Sequence, residues 1–116
     1  VTNGIDRVQR SRLAASGLEP FFETVVTSQS CGYAKPDPRI LHVALDELGV
    51  LPREAVYVGD DPDTDRAAAR AAGVSFIWID HGRPVQGRRP SRRVRSLAEL
   101  AGLIDVSCRG SGSRVL

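Results

Sequence analysis

The sequence predicts an α/β protein, a parallel sheet with helices on both faces. Short β-branched or apolar runs alternate with helix-length amphipathic segments. Glycine closes three of the four helical patterns, and polar clusters follow directly on the apolar runs, where open parallel sheets bind their ligands. The 116 residues fit one compact core, and 41% hydrophobic with 26% charged residues excludes disordered, collagen-like and membrane compositions. No apolar run approaches the ~20 residues of a membrane span, so no membrane partner and a cytoplasmic location are expected.

Val1-Thr2-Asn3-Gly4 reads as a strand end turning into a helix that stops near Gly17. Thr24 to Thr27 follows Phe21 and Phe22, is β-branched throughout, and is predicted as a buried strand. The next helix is well marked: Asp37 can cap it, Pro38 suits its first position, and Ile40, Leu41, Ala44, Leu45 and Leu48 form an apolar stripe ending at Gly49. Ala55 to Val58 is a short apolar strand running into Gly59 and a cluster of acids. Asp63 or Thr64 is expected to cap the following helix, whose alanine-rich body, Arg66 to Ala72, stops at Gly73.

Ser75 to Ile79 forms another strand, ending at Asp80-His81-Gly82. An arginine-rich loop then leads to Ser96-Leu97-Ala98-Glu99, a capping box opening a helix with apolar Leu97, Leu100, Ala101 and Ile104. Residues 1–106 are expected to form the structured unit, and residues 107–116, rich in Ser, Gly and Arg, a disordered tail.

Cation usage is uneven. Fifteen of the 16 cationic side chains are arginines, and the sixteenth is Lys35. Six of the arginines fall between positions 83 and 95 without one acid. Such a run can track nucleic-acid phosphates, but it contains Pro84, Gly87 and Pro90 and no aromatic residue to stack a base. A solvated loop, with no nucleic-acid partner, is the expectation. Cys31 and Cys108 have neither metal-ligand nor disulfide-framework spacing and read as reduced thiols. His42 reads as a surface or half-buried helical residue and His81 as a residue at the mouth of the site. With no methionine present, Val1 is not expected to be the natural start.

Three places just beyond strand ends carry chemistry. Thr2-Asn3-Gly4 offers a hydroxyl, an amide and a glycine that lets backbone N–H groups approach an anion. Lys35 precedes Pro36-Asp37-Pro38, and Gly59-Asp60-Asp61-Pro62-Asp63-Thr64-Asp65 follows the apolar strand. A hydroxyl, an ammonium and several carboxylates at one sheet end suit phosphate chemistry, which needs cations and donors on the phosphate oxygens and often a magnesium ion on carboxylates. Lys35 is a compact cation in a chain that otherwise uses arginine, which suggests a site with room only for an ammonium. Asp61 to Asp65 has the Asp-x-Asp-x-Asp opening of a calcium loop but continues with Arg66 instead of glycine, so that reading fails. Asp63 reads as a cap. Asp60, leaving a buried strand, reads as a magnesium ligand, with Asp65 as second ligand or orienting partner.

Together these segments resemble the haloacid dehalogenase (HAD) superfamily of phosphatases, subfamily I. Its second motif looks like Val1-Thr2-Asn3-Gly4, its third like Lys35-Pro36-Asp37-Pro38, and its fourth like Val56 to Gly73; the similarity extends to about Ile104. Gln9, Arg12 and Leu13 look closest to nucleotidase-like and sugar-phosphate phosphatase branches. The resemblance implies part of a Rossmann-like sheet and a Mg2+-dependent phosphatase for a small phosphorylated molecule. It gives Thr2 a donor role to the phosphate and Lys35 the neutralisation of that phosphate and positioning of the nucleophile. Asn3 would shape the substrate side, with Asp60 and Asp65 at the metal.

The family's nucleophile, an aspartate of an Asp-x-Asp strand, and its cap precede the second motif. The resemblance therefore implies a C-terminal portion lacking both, inactive and poorly stable alone. Two alternatives stand beside it: a non-catalytic protein binding magnesium and phosphate, and a receiver-like phospho-acceptor domain. Chain order disfavours the second, because Lys35 precedes the acids.

Overall fold

A computed structural model of the chain describes the backbone of residues 1–108 and 114–116 and the side chains of residues 1–103 and 114–116. Four strands form one parallel sheet: β1 (Ala55–Gly59), β2 (Ser75–Ile79), β3 (Arg93–Val94) and β4 (Arg114–Val115), in the order β3-β2-β1-β4. The predicted α/β class is observed. The helices are α1 (Asp6–Ser16), α2 (Ser28–Cys31), α3 (Arg39–Leu48), α4 (Thr64–Ala72) and α5 (Leu97–Cys108).

Side-chain alternation along β1 builds two cores. Ala55 and Tyr57 face α3 and α4, joining Ile40, Leu41, Ala44, Leu45, Ala68, Ala69 and Ala72 in one cluster. Val56 and Val58 turn to the other side, against Ile77, Ile79, Val94 and Leu100. The alanines of α4 do more than favour a helix: their small side chains let it lie close on the sheet, and Ala68 and Ala69 are fully buried. The helix α3 begins one residue later than expected, with Pro38 at its N-cap position in place of Asp37, although Asp37 Oδ1 still accepts the Arg39 N–H at 2.9 Å.

Five further expectations change. Thr24 to Thr27 forms no extended strand; it meets Thr2 in a single parallel bridge, with Thr2 N–H donating to Val26 O and Ser28 N–H to Thr2 O. Strand structure requires a paired neighbour, and Thr2 is the only residue supplying one among those described. Phe21 and Phe22 are exposed beside it. Asp63 makes no capping bond to α4; Asp61 does so instead, its Oδ1 accepting from the N–H groups of Asp63 and Thr64 at 3.0 and 3.3 Å. Pro62 precedes α4, where its missing N–H costs no helical hydrogen bond.

The arginine loop contains β3, because Val94 reaches the core and Ile79 pairs with it. In α5 the expected stripe is only partly buried: Leu100 is 8% exposed but Leu97 is 70% exposed, while the Ile104 side chain lies outside the described residues. At the C-terminal end, Arg114 and Val115 pair with Ala55 and Val56, so the disordered tail is corrected there, and residues 109–113 lie outside the described residues. Leu116 extends the pairing, donating to Val56 O at 2.7 Å and accepting from Val58 N at 3.1 Å. Between these residues, the Thr2–Thr27 bridge and Leu48 lies a largely apolar cavity of about 490 Å³.

Candidate active site

The carboxyl end of β1 and the loop before α3 meet at Lys35. Its ammonium donates to Asp65 Oδ1 at 2.7 Å and to the Tyr57 hydroxyl at 2.9 Å, and that hydroxyl donates to the same Asp65 oxygen at 3.2 Å. The Asp61 N–H reaches Asp65 Oδ2 at 3.1 Å. Asp65 is buried, so its carboxylate would be costly without these partners.

Each partner arrives from a different element. Tyr57 lies at the middle of β1, and Asp65 in the first turn of α4, on the face that continues through Ala68, Ala69 and Ala72. Gly59 is what lets Asp65 approach: a Cβ there would lie 2.2 Å from Asp65 Oδ2 and 2.6 Å from its Cγ.

Asn3 fixes the Lys35 loop from the other side. Its side-chain carbonyl accepts the Lys35 N–H at 2.8 Å and its amide donates to Lys35 O at 3.1 Å. Asn3 thus acts on the site through the main chain of Lys35. Gln9 in turn donates to Asn3 O at 3.1 Å. The Lys35–Pro36 peptide is cis. Thr2 stands next to this clamp, its hydroxyl 3.3 Å from Asn3 O.

Asp60 follows Gly59 with its side chain exposed, and among the described residues its carboxylate takes no hydrogen bond; its carbonyl accepts from the Trp78 indole at 3.3 Å. The structure therefore joins Lys35, Asp65 and Asn3 directly, and leaves Asp60 with an uncommitted carboxylate at the rim. His42 and His81 are exposed, and Cys31 is a free thiol; the Cys108 side chain lies outside the described residues.

Tyr57 and Asp61 are the site residues that the sequence reading missed. Tyr57 sits in an apolar strand pattern, which signals burial and gives no sign of what its hydroxyl meets. Burial pushes its pKa up to about 12, against the pull of Lys35, so it stays a neutral phenol able to donate. Burial works against the Lys35 ammonium, but the hydrogen bonds to Asp65 and Tyr57 outweigh it and the pKa of Lys35 is raised. At Asp61 partial burial opposes ionisation, yet the N–H groups of Thr64 and Asp63 prevail and its pKa is lowered.

A divalent cation finds a free carboxylate here on Asp60. Both oxygens of Asp65 are already engaged, and among the described residues no three His, Cys, Asp or Glu side chains converge. Magnesium commonly takes one or two protein carboxylates and completes its shell with water and phosphate oxygens, so the donors present fit a site shared with substrate.

Known proteins resemble this chain in sequence and in fold. The sequence profile of haloacid dehalogenase-like hydrolases matches residues 1–79. A phosphoserine phosphatase of Thermus thermophilus is 43% identical over 86% of this chain and 41% of its own length. The pyrimidine 5'-nucleotidase YjjG of Escherichia coli is 35% identical over 90% of the chain and 48% of its own. The chain thus spans less than half the length of these curated relatives. Among solved structures, a HAD phosphatase from Thermococcus onnurineus superposes with a TM-score of 0.76 at 32% identity, over 83% of this chain and 45% of that one. The HAD hydrolase YfnB from Bacillus subtilis, solved with magnesium bound, superposes with a TM-score of 0.82 at 26% identity, over 90% and 47%. With matching profile, relatives and fold in hand, the chain belongs to the haloacid dehalogenase-like hydrolase family.

Proposed function

We propose that these residues are the C-terminal part of the core of a cytoplasmic, Mg2+-dependent phosphatase acting on a small phosphomonoester, a nucleotide or a sugar phosphate. The observation that carries the reading is the Lys35 ammonium, held by Asp65 and Tyr57 at the carboxyl end of β1. Phosphoryl transfer depends chiefly on charge stabilisation and positioning, and a pre-oriented ammonium supplies both without reorganising during the reaction. Lys35 neutralises the substrate phosphate and positions the nucleophile, Thr2 donates its hydroxyl to a phosphate oxygen, and Asn3 keeps the Lys35 loop in place.

Asp60 would hold the magnesium ion, which when bound supplies further positive charge to the phosphate. Asp65 supports the site through Lys35. The nucleophilic aspartate and the cap come from sequence outside these 116 residues. The chain alone is therefore inactive.

Complementation tests the reading: the chain is co-expressed with an N-terminal segment carrying an Asp-x-Asp strand and a cap, and hydrolysis of p-nitrophenyl phosphate is followed with and without magnesium. Activity is expected only in the complemented, magnesium-loaded protein. Lys35→Arg or Asp60→Asn should lower it by roughly 100-fold or more. Activity untouched by both substitutions sinks the assignment, and phosphate binding without any turnover favours the non-catalytic alternative.

A further inference from the structure

A second concentration of positive charge lies away from Lys35, on the outer face of α4. Arg70 is exposed and Arg66, one helical turn earlier, is half-buried, whereas Asp65 and Ala69 on the same helix are buried. The loop after β2 brings Arg88, Arg89 and Arg92 to the same face. Two adjoining cavities result, of about 430 and 700 Å³, both bordered by Arg66 and Arg88. The single acid on their walls is Asp63. Among the described residues none of these five arginines forms an ion pair.

The loop is anchored. The Arg66 guanidinium donates to Arg88 O, Asp80 accepts from Gly82 N–H at 2.8 Å, and Trp78 N–H donates to Arg92 O at 3.0 Å. Like charges assembled on an anchored scaffold repel one another, and an anionic ligand relieves that repulsion. Arginine is the general cation of this chain, so the inference rests on convergence and on the lack of acids.

We propose that this trough binds a short phosphoanhydride chain of two or three linked phosphates, separately from the Lys35 site. Guanidinium groups pair with phosphate oxygens in bidentate fashion. Each of the two cavities has the size of a small-molecule pocket, larger than one phosphate group fills. Nucleic acid fits less well, because stacking needs an exposed ring. The one aromatic wall residue, Phe76, is half-buried and lies against Tyr57 with ring centroids 6.1 Å apart.

The test is calorimetric titration of the chain with tripolyphosphate and with ATP, in EDTA and at low salt, with the fold of every variant verified by Trp78 fluorescence. Both ligands should bind, and Arg88→Ala with Arg89→Ala should weaken them on the order of tenfold or more, while Lys35→Ala leaves binding intact. Equal affinities identify the phosphate chain as the whole recognition element, and tighter ATP binding that is lost in the same double variant identifies a nucleotide as its source. Absence of binding overturns the proposal, as does binding lost only on Lys35→Ala. An oligothymidylate that binds more tightly than tripolyphosphate and is lost in the double variant also overturns it, in favour of nucleic acid.

Discussion

Replacing Gly59 by alanine probes the packing under the site with one methyl group. The new Cβ would lie 2.2, 2.6 and 2.8 Å from Oδ2, Cγ and Cβ of Asp65. All three are below any tolerable carbon contact, and a short side chain rooted in α4 cannot swing clear by its tip alone. Asp65 must move, separating its carboxylate from a Lys35 ammonium whose side chain is only 12% exposed. Separating a buried ion pair and leaving its charges uncompensated costs about 3 to 5 kcal/mol. Against this, alanine in a strand is at most slightly favourable over glycine.

Urea denaturation followed by the emission of Trp78, the only tryptophan and a buried one, reads the loss. A second comparison isolates the cause. In an Asp65→Gly background the whole obstructing side chain, Cβ included, is gone, so Gly59→Ala should add less than about 1 kcal/mol, a coupling of roughly 2 kcal/mol or more between the two positions. A Gly59→Ala protein within about 0.5 kcal/mol of the parent, or equal costs in both backgrounds, would refute the reasoning.

Tyr57→Phe removes the hydroxyl that bridges Lys35 and Asp65 while keeping the ring, and should cost about 1 kcal/mol in the same denaturation assay; an unchanged midpoint would show the bridge to be idle. The raised pKa values of Lys35 and Tyr57 both make the folded state hold its protons more tightly, so their contributions are complete below the unfolded values and disappear as pH rises through the folded ones. Stability should therefore decline from about pH 10 toward pH 12, with the decline shallower in Tyr57→Phe; a flat alkaline limb in the parent contradicts the network. Asp61→Ala should lower stability by about 1 kcal/mol through loss of the α4 cap, while Asp63→Ala stays near neutral, and the reverse order would reinstate Asp63. Deleting residues 114–116 uncovers Val56 O and Val58 N on the edge of β1, and exposed strand edges pair with other chains; sedimentation velocity should show increased association relative to the parent, and an unchanged sedimentation profile would argue that β4 protects nothing.

The sequence carried the elements whose signals are local. Gly17, Gly49 and Gly73 each end a helix with a positive φ, as their placement suggested, and the runs at 55–58 and 75–79 are the paired strands of the sheet centre. Signals that depend on a distant partner were not legible. Thr24 to Thr27 has strong strand propensity and only Thr2 to pair with among the described residues, and Val94 and Val115 join the sheet as two-residue strands too short to leave a pattern. Within the site, Lys35, Asn3 and Asp65 were identifiable by chemistry and position. That Asp65 faces the lysine, and that Asn3 reaches the Lys35 backbone, follows from contacts 30 and 32 residues apart in the chain, which no short-range reading supplies.

The Asn3 clamp separates two properties that are usually entangled in mutagenesis. Asn3 holds the N–H and C=O of residue 35 through bonds that do not involve that residue's side chain. Substitutions at position 35 therefore vary charge, length and hydrogen-bonding capacity with both backbone bonds kept in place, and an Asn3→Ala variant does the converse, loosening the backbone with the ammonium retained. Paired, the two sets of variants apportion any loss of phosphate affinity between electrostatics and placement.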